Sequence, residues 1–549
     1  MRKTIEKGYP YRNREILVID LTKDEYSYAK LDEKVATQYH GGRALAYKLW
    51  VDYVDWDAIN KDCLYVGAPI IISLGAASDL GYDFAKSSTL LTYSLESKSV
   101  VSYNFSSKNF ALALSSLGFS ALVIKGRARR LTSIEIWKSE IKISLCENFH
   151  NLHTRDIEMF LNEASSLISI GAAGEKAIDY ASVNIDSLNV GRCGVGAIFG
   201  MKNLKCIALY GSKDKLRLPY YEKAAIEVKT YFENMKEINY LDCASKYGWA
   251  AIESFKYRTD PRLWGLGSDL TADCDLDWLI ALALGANIGI YDWKKVKILE
   301  ECCLSLGVDP FSIGIFLNWV LAAEDEKIID LKIDRNVDVL DRLIIIIEYL
   351  ATSKSHFSIL NEGVNSLAKK FGFNKNNFTS LNKELLPLDL RGLKAFSLAV
   401  SLDDDTFVPW EMFGELKKKN VVKALYTAQI YREICEILGL SWKNVLYLVY
   451  LDGKLKKTNN RFIKILTKLF SIAEGYKISE EELILLGKKS FFSRRSIEEI
   501  SKDEVIYSIS NIPIYFITNR FSNYGENTVS VGSFLDDYLS FIKEEESTL

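Results

Sequence analysis

Apolar and polar positions alternate with a period of two through the first 210 or so residues, and with a period near 3.6 after that. The runs REILVIDLT (14–22), EYSYAKL (25–31), SSTLLTYSL (87–95), KSVVSYNF (98–105), ALVIKG (121–126), SIEIWKSEIKISL (133–145) and SLISIG (166–171) predict strands, since a pleated chain turns successive side chains to opposite faces. Lys23-Asp24 between the first two runs predicts a hairpin turn. Short helices are expected over GGRALAYKLW (41–50) and FALALSSLG (110–118), the second stopped by Gly118. Beyond residue 215 the stretch 221–238 puts Ala225, Val228, Phe232 and Met235 on one helical face. Helices are also expected over 293–307, 421–439, 461–475 and 530–546. No internal repeat and no low-complexity linker is discerned. The pattern predicts an α+β protein: a β-rich N-terminal domain over 1–211, a helical domain over 212–388 and a C-terminal helical domain over 389–549. The last boundary is placed at the loop Pro387-Leu388-Asp389.

A chain of 549 residues exceeds one ordinary core, consistent with several domains. Its 69 basic and 72 acidic residues nearly cancel and form no basic stripe, which argues against nucleic acid. The longest apolar run, 311–323, is shorter than the roughly 20 residues that span a bilayer. The start MRKTIEKGYPYRNRE lacks the apolar stretch of a signal peptide, so a cytoplasmic protein is expected. Nine scattered cysteines include no C-x-x-C, and the one adjacent pair, Cys302-Cys303, sits in a helical pattern. Scarce glutamine (Gln38 and Gln429 alone) with abundant Lys, Glu and Ile leans towards a hot habitat.

The most distinctive stretch is GRCGVGAIFGMKNLKCIALYG (191–211), with Gly191, Gly194, Gly196 and Gly200 ahead of a strand-like run. It is not the G-x-G-x-x-G fingerprint, and no strand leads into it, so a dinucleotide site is not expected. Glycines this dense let a backbone approach a phosphate, a flat cofactor or a neighbouring helix.

Taken in order, REILVIDLT, HGGRALAYKLW, SLGFSALVIKG, SIGAAGEKAIDYASVNID, the glycine stretch, ALALGANIGI with EECCLSLGVDPFSIG, LDLRGLKAFSLAVS and EILGLS resemble the aldehyde ferredoxin oxidoreductase family of tungsten-pterin enzymes. The resemblance spans 14–441 and implies a sheet-built saddle carrying two pyranopterins that clasp tungsten or molybdenum, covered by two helical domains. It also implies oxidation of an aldehyde to a carboxylate, with electrons leaving through a [4Fe-4S] cluster to ferredoxin. On this resemblance the pterin-binding residues are Asn104, Gly191, Arg192, Gly194, Gly196, Asp309, Glu436, Gly439 and Leu440. Asp309 and Glu436 would accept paired N–H donors from pterin rings.

Several family positions differ. The cluster thiolates are missing: the interval 207–280 holds only Cys243 and Cys274, and Ser441 stands where the fourth cysteine belongs. A serine hydroxyl is a poor iron ligand, so no [4Fe-4S] cluster is expected. Leu304 replaces the first acid of the motif ending in Asp309, and Ser106 and Ser107 replace glycines beside Asn104. The family's arginines fall at Ser87-Ser88, with Lys86 nearby, and at Leu188. The reacting glutamate corresponds to Asp277 or Leu279 and the histidine to Phe407, which leaves Asp277 as the single catalytic candidate. Asp403-Asp404-Asp405 reads as a solvated acidic loop or a divalent-ion site, as does the alternation Asp273, Asp275, Asp277. His150 and His153 read as loop residues or a metal pair, and His40 as a helix-entry residue. No metal-ligand set is assigned. Two functional readings result: a divergent tungstopterin oxidoreductase served by a ferredoxin-like or iron–sulfur partner, and a non-catalytic scaffold paired with an intact relative. Either would work in a homo- or hetero-oligomer.

Overall fold

A computed structural model describes residues 15–61, 64–214, 219–237, 278–290, 292–352, 355–374, 379–380, 383–384, 394–404, 406, 408, 420–441, 461–502 and 531–549. Asp277, Phe407, Asp405, Asp273, Asp275 and the 387–389 loop lie outside these residues.

The N-terminal part is two six-stranded sheets. The first contains β1 (Glu15–Asp20), β2 (Glu25–Lys30), β3 (Ile70–Leu74), β4 (Ser87–Ser94), β5 (Ser99–Ser106) and β6 (Phe119–Lys125) in the order β2-β1-β6-β3-β4-β5. The second contains β7 (Thr132–Ile136), β8 (Ile141–Leu145), β9 (Ser166–Ser169), β10 (Val183–Ile185), β11 (Leu188–Val190) and β12 (Leu204–Leu209). Its order is β11-β10-β9-β12-β7-β8. Read from the other edge this is the same plan. In each half a hairpin opens the chain, its first strand pairs in parallel with the last, and the middle strand lies antiparallel to that last strand. A second hairpin and a short helix complete each half. The two halves are therefore structural repeats, which corrects the reading that no repeat exists. Ile72-Ser-Leu-Gly-Ala-Ala77 and Ile168-Ser-Ile-Gly-Ala-Ala173 are its visible trace in the sequence.

The predicted run 133–145 is two strands. Its polar centre turns at Lys138–Glu140, where Trp137 N–H bonds the Glu140 carbonyl at 2.9 Å. At the Lys23-Asp24 hairpin, Asp24 takes φ 58° and the Asp20 carboxylate accepts the amides of Thr22 and Lys23. Inner residues of both sheets, among them Leu17, Ile72, Leu122, Ile134, Ile168 and Ile207, share one core with the helices Lys108–Ser116 and Val195–Met201.

The rest is mainly helical, as the 3.6-residue period requires. Asp292 caps Trp293–Leu306, which Gly307 ends at φ 72°. Asp309 caps Pro310–Asp325, whose proline occupies the first turn. Ser479 and Glu482 form a reciprocal capping box on Glu480–Ile500. One helical core gathers Trp293–Leu306, Pro310–Asp325 and Val339–Ala351, and it encloses Ala173, Tyr180 and Ala181 of the second repeat. The other gathers Val421–Leu438, Arg461–Glu474 and the C-terminal helices, and it encloses Ala76, Ala77 and Ala85 of the first. Each repeat is thus covered by its own set of helices. Among the described residues, no helix is long and apolar enough to cross a membrane.

Candidate functional site

The repeats present matching junctions to the helices. After β3, Gly75-Ala76-Ala77 docks on the end of Val421–Leu438: the Ala76 and Ala77 amides reach the Ile437 and Leu438 carbonyls at 2.8 and 3.1 Å. Leu440 then pairs with Ala85 as a β-bridge. After β9, Gly171-Ala172-Ala173 docks on the end of Trp293–Leu306, Ser182 N–H bonds the Gly307 carbonyl at 2.9 Å, and Val308 bridges to Ala181. A Cβ on Gly75 would strike the Gly439 backbone, and one on Gly171 the Leu306 carbonyl. These glycines serve backbone-to-backbone contact between sheet and helix.

The dense glycine run has the same explanation. Gly191 and Gly194 adopt φ 88° and 74°, which glycine tolerates at little cost. A Cβ on Gly196 would collide with the Ser182 carbonyl, and one on Gly200 with that of Gly174. Of the candidates, it is the neighbouring backbone of its own repeat that Gly196 and Gly200 approach.

The two acids placed at pterin positions meet different surroundings. Glu436, wholly buried at the end of Val421–Leu438, accepts Arg432 Nε at 3.0 Å on one oxygen and is ion-paired through the other with Arg43, whose Nε lies 2.5 Å away. Arg43 also reaches Glu433, which accepts Arg494 Nε at 2.7 Å and Ser490 Oγ at 2.8 Å. Burial raises the Glu433 carboxyl, but Arg494 and Arg43 outweigh it and hold the group below the usual carboxylate range. Asp404 joins through Arg494 at 3.4 Å and Arg432 at 3.8 Å, and Asp403 through Lys502 at 2.6 Å. Asp403 and Asp404 therefore belong to a buried ion network, not a solvated loop. The sequence concealed this because the arginines come from distant helices.

Asp309 spends one oxygen capping its helix (Ser312 N–H, 2.7 Å) and lies 3.7 Å from Arg192 Nε. Arg192 lies over the Phe311 ring at 4.1 Å and donates to the Glu384 carbonyl. Burial raises the Asp309 carboxyl despite Arg192 and the cap.

Asn104 faces Thr89 across the β4–β5 ladder. Asn104 Nδ2, Thr89 Oγ1 and Ser88 Oγ are buried without a hydrogen-bond partner. Ser107, at a former glycine position, caps Lys108–Ser116 by accepting the Phe110 amide at 3.0 Å. Leu188 is exposed on β11. The histidines do not converge: His150 Nδ1 meets Glu175 at 2.6 Å, while His153 Nδ1 meets Ser305 at 2.6 Å. His40 is buried against Phe470 and Glu474 (3.1 Å).

One group was not foreseen. Glu96, in the β4–β5 turn, Cys193, in the glycine loop, and Glu384 bring their ligand atoms within 4.8 Å of one another, all buried. Burial, then the nearby Glu384, raises the Glu96 carboxyl well above its usual range. No spacing in the sequence could have announced a triad drawn from three remote segments.

Comparison with known proteins places this geometry. Residues 16–211 match the N-terminal domain of aldehyde ferredoxin oxidoreductase, and residues 268–501 match domains 2 and 3 of the same family. The tungsten-containing aldehyde ferredoxin oxidoreductase of Pyrococcus furiosus is 26% identical over 447 residues, covering 70% of this chain and 72% of the relative. The aliphatic sulfonate oxidoreductase WOR-like subunit of the same organism is 23% identical over 380 residues, covering 57% and 59%. Among solved structures, the BamBC active-site complex of benzoyl coenzyme A reductase, in complex with 1,5-dienoyl-CoA, superposes with a TM-score of 0.73 at 15% identity. The match covers 97% of this chain and 94% of that one.

Proposed function

Because the chain belongs to the aldehyde ferredoxin oxidoreductase family, we propose that it keeps the family's architecture as a non-catalytic subunit beside a cofactor-bearing relative. The observation that carries this reading is the occupation of Glu436. A pterin ring would offer a carboxylate paired N–H donors, but Arg432 Nε already donates to one oxygen of Glu436 and the Arg43 guanidinium sits against the other as an ion pair. Asp309 is committed to its helix cap and to Arg192. Arg192 is itself held over Phe311 and donates to the Glu384 carbonyl. The donor set thus does not fit a pterin at these two acids, and no reaction step is derived through one. Ser441 in place of a thiolate agrees with this, and so does the name of the sulfonate oxidoreductase relative, which marks that protein as a subunit.

A second reading, a divergent tungsten- or molybdenum-pterin oxidoreductase passing electrons to an iron–sulfur partner, draws on one observation. Asn104, Thr89 and Ser88 hold buried polar atoms with no partner, and such atoms cost free energy unless a ligand or water satisfies them. Elemental analysis of protein purified without oxygen from tungstate- and molybdate-supplied cells separates the readings. The scaffold predicts background tungsten, molybdenum and iron, and no pterin fluorescence after acid oxidation. About one tungsten or molybdenum per chain with pterin would overturn it.

A further inference from the structure

The two repeats point one hairpin-turn acid each at the loop that follows the other repeat's second hairpin. The comparison singles out one of these acids. In the second repeat the acid is Asp186, between β10 and β11. Its Oδ1 accepts the Leu167 amide at 2.9 Å and its Oδ2 accepts Ser166 Oγ at 3.0 Å as well as Ser107 Oγ. In the first repeat the acid is Glu96, between β4 and β5. Its side chain points at Cys193 and Glu384, it is 7% exposed, and among the described residues no donor other than the facing Glu384 carboxyl reaches its carboxylate oxygens. Glu384 is divided. Oε2 accepts Ser312 Oγ at 3.2 Å and lies 4.0 Å from Arg192, while Oε1, also buried, receives no donor among the described residues other than the facing Glu96 carboxyl.

We propose that Glu96, Cys193 and Glu384 form a binding site for a single thiolate-tolerant divalent cation of the zinc class, joining the sheet domain to the helical part. The ligand atoms already lie within 4.8 Å of one another, a spread that one ion can draw together with small side-chain adjustments. One thiolate and two carboxylates select a borderline ion such as Zn2+ over hard Mg2+ or Ca2+. A dication offsets two of the three anionic ligands, and Arg192, which Glu384 shares with Asp309, offsets part of the remainder. The site is closed to larger ligands on the Gly363 side, where even an added Cβ would strike the Glu96 carboxylate. A second layer fixes the ligands. Ser94 Oγ donates to the Cys193 carbonyl at 2.7 Å and accepts the Ser97 amide at 3.0 Å, which ties the Glu96 turn to the Cys193 loop. Tyr103 Oη donates to the neighbouring Arg192 carbonyl at 3.0 Å. The proposal does not depend on whether the chain carries a pterin.

The probe is Co2+, supplied during expression in place of zinc and measured on the purified full-length chain. The expected result is one bound cobalt per chain with a thiolate-to-cobalt charge-transfer band, displaced by zinc. The band should vanish in Cys193→Ser and persist in Cys302→Ser. Glu96→Gln and Glu384→Gln should each weaken cobalt binding by more than about tenfold. Added zinc should raise the melting midpoint of the wild type and not that of Cys193→Ser, with circular dichroism reporting the fold of each variant. Absence of a charge-transfer band in the wild type overturns the site without recourse to any variant. A band that survives Cys193→Ser overturns it equally and leaves the acids as a proton-sharing pair.

Discussion

The two repeats solve one architectural problem with opposite electrostatics. Both dock a Gly-Ala-Ala turn on the glycine-terminated end of a helix. Around the first junction Glu436 and Glu433 are matched by Arg43, Arg432 and Arg494. Around the second, Glu96, Glu384 and Asp309 share Arg192 alone among the arginines described there, so the acids outnumber the bases. Topology dictates where the backbones meet but not how the charge beside them is balanced. The closed junction is a structural joint, and the uncompensated one is where a ligand has something to bind.

The largest test of that contrast is Arg43→Met. It takes one of two guanidiniums away from each of two buried carboxylates, leaving Arg494 on Glu433 and Arg432 on Glu436, and should cost about 3 kcal/mol in denaturant unfolding. Arg192→Met should cost clearly less, because the Arg192 side chain is 26% exposed against 3% for Arg43. Equal costs would abolish the distinction. Next come Gly75→Ala and Gly171→Ala, which force sheet and helix backbones apart. Each should lose about 3 kcal/mol, at the top of the overpacking range, and by similar amounts if the junctions are truly equivalent.

A pH series sharpens the comparison further. Asp179, in the second repeat, accepts the Gly363 amide at 2.9 Å, and burial lifts its carboxyl to about 6. Its folded value lies above its unfolded one, so its contribution is present below about pH 4 and is lost as pH rises through about 6. Asp179→Asn should flatten that decline, by about 3 kcal/mol, in melting curves recorded across the window. The smallest effect belongs to Ser107→Ala, which removes a helix cap in the first repeat and should cost about 1 kcal/mol. A null result there would mean that water or a neighbouring group caps the helix as well.

Much of the fold was legible. The strands at 15–20, 25–30 and 87–94, and the helices expected over 221–238, 293–307, 421–439, 461–475 and 530–546, lie within a residue or two of their predicted limits, whereas Pro310–Asp325, Val339–Ala351 and Glu480–Ile500 were not predicted. Period two and period 3.6 arise from local backbone geometry, and capping residues such as Asp292, Asp309 and Gly307 act on their own helices. Family membership was legible too, because motif order survives substitution. β3 was missed: IIISL is apolar at almost every position and buried on both faces, so it shows no alternation. The duplication was missed because its repeats share one six-residue trace and otherwise differ in sequence.

By itself, then, the sequence determined what depends on neighbours along the chain: the periods, the caps, the turns at Lys23-Asp24 and Gly307, and the absence of closely spaced thiolates. Only the tertiary structure decided which guanidinium faces which carboxylate. Arg43 meets Glu433 and Glu436 across almost four hundred residues, and Glu96, Cys193 and Glu384 come together from three separate segments. Coulomb interactions and metal ligation depend on distance in space, and packing sets that distance once the chain has folded.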